Sequence, residues 1–127
     1  MPAVGPAVAK AFKDVSDALQ TLSTNYPVTP VTGPADNARW FFSTVTETSD
    51  LADTQKHFTG TIKSCFDGDW KTQGGAQEAA KLMVKMGKSF DQASMATKIQ
   101  GDWDKMIQKV TSAAAVLENR LKQKQEA

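Results

Sequence analysis

The sequence predicts an all-α fold: an antiparallel helical bundle of four helices in a single domain, residues 1–127, with a Pro-rich loop after helix one. Three observations lead there. Apolar residues recur at alternating steps of four and three through most of the chain, which lines them up on one face of a helix. No stretch alternates with period two for long, so nothing reads as a half-buried strand. Short turn-forming stretches separate the periodic segments, and amphipathic helices joined by short loops pack as antiparallel neighbours.

The first helix is expected over residues 6–25. Val8, Phe12, Val15, Leu19 and Leu22 form its stripe, while Lys10, Lys13, Asp14 and Asp17 fall off it. Pro6 suits the first turn, where its missing N–H is not needed, and Tyr26-Pro27 ends the helix because proline restricts the residue before it. Residues 26–35 carry three prolines and one glycine and are expected to run irregular and extended.

The second helix is expected over residues 36–66, with Trp40, Phe41, Val45, Leu51, Phe58, Ile62, Cys65 and Phe66 in phase. Five threonines and serines in residues 43–49 weaken its middle, and a break near Ser49-Asp50 is the alternative. Asp67 to Gly75 reads as a loop, with Gly68 as the preceding helix's cap. A third helix follows over 76–93 on the stripe Ala79, Met83, Met86 and Phe90, widened by Ala80, Leu82 and Val84. The fourth, over 97–124, carries Ile99, Trp103, Met106, Val110, Ala113, Leu117 and Leu121. Thr97 with Gln100 matches a capping box for its start, with Ser94 as the other option.

Composition bounds the function. Fifteen basic side chains against fourteen acidic ones leave a net charge of +1, which offers no overall field for nucleic acid. The single cysteine, Cys65, excludes an intramolecular disulfide. The opening residues lack the basic start and apolar run of a signal peptide, and no apolar stretch is long enough for a transmembrane helix. The chain therefore reads as soluble and cytoplasmic, with leaderless secretion left open.

Candidate chemistry is sparse. His57, the only histidine, precedes Cys65 by eight residues, about 12 Å along a helix, too far for a hydrogen-bonded pair. One Cys and one His do not make a zinc site, and no Glu-x-x-His pair supports a di-iron centre. Asp67, Asp69 and Glu78 have the spacing of positions one, three and twelve in a calcium loop, but Lys71 stands at position five and Thr72 where glycine is needed. No metal, cofactor or catalytic residue is expected, and the chain reads as a non-enzyme.

What remains is surface. Trp40, Phe41 and Phe42 span about 200° of one helix, more than a bundle helix commonly buries, so one ring is expected outside the core. Phe41 is in phase with Val45 and is the better core candidate, which leaves Trp40 and Phe42 as candidate contact residues with Phe42 the one to probe, and cover by Val28 and Val31 of the Pro-rich loop as the competing account. Trp70, in a loop, either caps one end of the bundle or serves as a recognition anchor. Lys81, Lys85 and Lys88 form a basic row at steps of four and three. Met83, Met86, Met95 and Met106 suit core filling.

Trp70, followed by Gly74-Gly75 and a helix opening Ala76-Gln77-Glu78-Ala79, resembles the small Trp-X-Gly helical hairpins exported by type VII secretion. The resemblance covers about residues 50–120. Lys71-Thr72-Gln73 intervene where that family has one residue between tryptophan and glycine, and the amino-terminal helix and Pro-rich loop are additional. The resemblance implies an exported or effector-type helical hairpin. From the residues themselves, the expectation is a non-enzymatic interaction or assembly protein with a protein partner or a second copy. A third reading is a carrier of an apolar ligand or lipid in a core rich in Met and Phe.

Overall fold

The computed structural model describes the backbone of residues 2–126 and the side chains of residues 2–123. Among them, five helices form the all-α fold, one more than the sequence suggests. α1 spans Pro6–Asn25 and buries all five residues of its expected stripe. Gly5, with φ of 86°, turns the chain into Pro6 at the helix start.

α2 spans Thr29–Thr44 and so begins inside the stretch expected to be irregular. Pro30 falls in the first turn, where no N–H is required. Pro34 lies further in and cannot bond back to the carbonyl of Pro30, which on propensity alone would break the helix. Burial outweighs that loss, because Pro30, Val31, Pro34, Ala35 and Ala38 all pack inward. Hydrogen bonds from the Val31 and Thr32 amides to the Val28 carbonyl, each 2.9 Å, close the first turn.

The expected helix over 36–66 is broken, at the alternative position near Ser49-Asp50. The hydroxyls of Ser43 and Thr44 bond to the carbonyls of Trp40 and Phe41 and help end α2. Asp50 then caps α3 by accepting the Asp53 amide at 3.0 Å. The amino-terminal residues clasp this connection: the Val4 and Gly5 amides donate to the carbonyls of Ser49 and Glu47, and the Leu51 amide donates to that of Pro2. Arg120 closes the clasp from the far end of the chain, with Nε and Nη2 both on the Ala3 carbonyl at 3.1 and 2.8 Å.

α3 is α-helical over Leu51–Thr61, π-helical over Ile62–Asp69, and α-helical again over Trp70–Thr72. It runs through the expected loop, because Gly68 does not adopt the left-handed conformation a cap requires; Gly74, at φ 94°, does. A row spaced by four residues drifts around an α-helix, and the wider π turn reverses the drift. Phe58, Phe66 and Trp70 thereby all reach the core.

α4, Gly75–Lys85, is shorter than the expected 76–93. Gly87, at φ 72°, stops it in a Schellman motif: the Gly87 amide bonds to the Val84 carbonyl at 3.0 Å and the Lys88 amide to the Met83 carbonyl at 2.9 Å. The stripe thus continues in sequence through Met86 and Phe90, but the helix does not. α5, Gln92–Glu126, starts five residues before the expected Thr97. Its cap is Asp91, whose carboxylate accepts the Ser94 amide at 3.1 Å and the Ser94 hydroxyl at 2.9 Å. These bonds hold the Asp91 carboxyl below its usual pKa. At 35 residues, α5 is about 50 Å long.

α1 packs against both α2 and α5, and α4 packs against α5 and α2. Tyr26, after the end of α1, meets Asp102, and Ala3, before its start, meets Arg120. α5 therefore runs antiparallel to α1, and its first ten residues extend past the end of α1 beside α4. Two aromatic groups fill the interior. Phe12 lies 5.1 Å from Phe42 and 5.2 Å from Phe58, ring centre to ring centre, with Phe41 5.1 Å from Phe42. At the other end Trp70 stacks on Trp103 at 3.9 Å and 8°, with Phe66 5.8 Å from Trp103.

Candidate interaction site

Of the three adjacent rings on α2, the outward one is Trp40, 71% exposed, and not Phe42, which is fully buried. The expectation failed because α2 has neighbours on several sides: α1, α4 and the π-helical part of α3. Its buried arc is wide enough for Phe41 and Phe42 together. The helical neighbours of Trp40, at three and four residues either side, are Asp36, Asn37, Ser43 and Thr44, all exposed. Beside it, Arg39 Nη2 lies 3.7 Å from Asp36 Oδ1, which also accepts the Ser23 hydroxyl at 2.9 Å. The result is one large aromatic inside a polar rim.

The other expected anchor, Trp70, is 7% exposed and belongs to the core. It closes one end of the bundle, the plainer of the two roles considered for it. Lys81 and Lys85 are exposed on α4, but Lys88 falls beyond Gly87 in the turn, so the three lysines share the end of a hairpin and not one helical face. Sequence reasoning missed Phe90 and Met86 as surface residues. Phe90 is fully exposed and Met86 is half exposed. The signal was Gly87, which ends the helix between them.

The remaining titratable groups do not converge. His57 is exposed, with its ring 6.2 Å from that of Phe41, while Cys65 is buried. Asp67 is engaged by Lys71 at 2.8 Å. Among the described residues no three His, Cys, Asp or Glu side chains are grouped to hold a metal ion. An open groove of about 760 Å³ lies between the start of α4 and α5, floored by Trp70, Ala76 and Ala96. Two buried polar atoms without a partner among the described residues, Arg39 Nε and Asp50 Oδ1, are not in its lining.

Two buried groups make stability depend on alkaline pH. Burial raises the Cys65 thiol pKa, and burial followed by the hydrogen bond to Asp102 raises that of the Tyr26 phenol. Groups raised in the folded state stabilise it fully below their unfolded pKa, about 8.5 for a thiol and 10 for a phenol, and that contribution is lost as pH rises through the folded values. Melting temperature should therefore hold up to about pH 8.5 and then fall, and Tyr26→Phe should shallow the decline above about pH 10. A melting curve indifferent to pH over that range would contradict the burial of both groups. The same burial predicts that Cys65 reacts with a thiol reagent at the rate of unfolding. Rapid stoichiometric labelling of the native protein would contradict it.

The fold is an all-α bundle and, among the described residues, its large exposed apolar side chains are Trp40 on one flank and Phe90 with Met86 at the hairpin end. Compared with models of protein families, with curated proteins and with solved structures, it matches none.

Proposed function

We propose that this chain is a non-enzymatic interaction and assembly protein, and that the contact is centred on Trp40. The observation that carries this reading is a tryptophan 71% exposed on a helix whose other two rings are buried. Leaving so large an apolar ring in water forgoes about 1.5–3 kcal/mol that burial would return. A large aromatic surrounded by polar side chains has the composition of an interface hot spot and its rim. The net charge of +1 adds little long-range repulsion between two copies.

The test is light scattering across a concentration series. The native protein is expected to have a mass above the 13.7 kDa of one chain. Trp40→Ala is expected to weaken association by about 2 kcal/mol or more, roughly thirtyfold. Its melting temperature should be nearly unchanged, since an exposed side chain contributes within about 0.5 kcal/mol. A native mass of one chain at every concentration would remove self-assembly.

A further inference from the structure

We infer that the tip of the α4–α5 hairpin docks on an anionic lipid surface. The position of the tip is the first reason. Tyr26 meets Asp102, so residues 92–101 and the α4 residues beside them stand beyond the end of α1, and the turn of residues 86–91 is at their far end.

The second reason is that the exposure of Phe90 is built in. The turn is pinned at both ends, by the Schellman bonds at Gly87 and Lys88 and by the Asp91 cap. Phe90 immediately precedes that cap, and Met95 is the fourth residue of the helix. This is the pairing that ordinarily forms a hydrophobic staple, ring against side chain. Here the ring is fully exposed and the staple is not made, leaving Met95 only partly covered. Phe90 and Met86 therefore present apolar surface from a fixed backbone, with Met95 beside them partly buried against the core.

Charge selects the occupant. Residues 81–95 hold three lysines, Lys81, Lys85 and Lys88, against one carboxylate, Asp91, which is engaged in its cap, while Lys98 lies further back with its ammonium 5.9 Å from the centre of the Tyr26 ring. The ion pairs among the described residues involve none of these lysines. An exposed ring with Lys85 and Lys88 close to it in the chain matches a bilayer interface: the ring enters at the acyl boundary, the lysine stems follow it, and the ammonium groups stay among the headgroups. The contact is peripheral, since no described helix is long and apolar enough to cross a membrane.

The experiment is co-sedimentation of the full chain with vesicles of phosphatidylcholine, alone or mixed with phosphatidylserine. Binding is expected to the mixed vesicles only, and to fall as salt is added. Phe90→Ala should weaken it about tenfold, and each of Lys85→Glu and Lys88→Glu at least fivefold. All three sites are exposed, so circular dichroism should show native melting for each variant. Equal pelleting with both vesicle types, or unchanged binding by Phe90→Ala, would overturn the inference. So would self-association without lipid that Phe90→Ala abolishes, which would make a second copy the occupant of the tip.

Discussion

Phe42→Ala is expected to destabilise the fold by about 3–5 kcal/mol, because its ring is fully buried and the space it leaves cannot close. Phe12 and Phe41 both lie 5.1 Å from it and Phe58 lies at 5.8 Å. These rings belong to three helices, so a collapse into the gap would have to move all three at once. A domain of this size commonly has about 5–15 kcal/mol of stability in total, so the variant should be close to its folding limit. Urea unfolding followed by helical circular dichroism would read this as a lower midpoint with unchanged slope. Phe42→Leu, which keeps most of the volume, should lose clearly less. A native midpoint for Phe42→Ala would return Phe42 to the surface and Trp40 to the interior.

Trp103→Ala is the second large effect, also about 3–5 kcal/mol. Trp103 is 2% exposed and joins three parts of the chain: its own helix, Phe66 in the π-helical segment, and Trp70 at the end of α3. Loss of the indole would uncover one face of Trp70. That ring also packs close to Gly75 at the start of α4, 3.4 Å from where a side chain there would begin. The Trp70–Trp103 stack should give a coupled near-ultraviolet circular dichroism signal, absent in Trp103→Ala. Trp103→Phe should restore much of the stability but not that signal. If Trp103→Ala melts as the native protein does, the stack does not hold this end together.

The sequence made some elements plain and hid others for identifiable reasons. α1 was legible from end to end because its apolar period, its Pro6 start and its Tyr26-Pro27 stop agree. The seam of α5 from Ile99 to Leu117 was legible on the same grounds. The start of α2 was hidden because Pro30 and Pro34 argue locally for an open chain, and only burial against other helices overrides them. The end of α4 was hidden because the apolar spacing runs on through Met86 and Phe90, and Gly87 weighed too little against that rhythm. The path of α3 past Gly68 rests on a π-helical turn, which has no period that a sequence pattern of fours and threes displays.

The candidate surface was partly legible. Adjacent rings at 40, 41 and 42 implied that one points outward, and one does. Which one depends on how many neighbours α2 has, and that is a property of the assembled bundle. The lysines at 81, 85 and 88 were visible as a row. Their meaning changed once Gly87 placed Lys88 in a turn beside an exposed Phe90.

The most direct test of the account is oxidative footprinting of the three tryptophans, read by mass spectrometry over a range of protein concentrations. In dilute solution Trp40 should be oxidised readily while Trp70 and Trp103 are protected, and Trp40 should become protected in step with the rise in mass. Assembly with Trp40 still fully reactive, or ready oxidation of Trp70 in the native monomer, would contradict it.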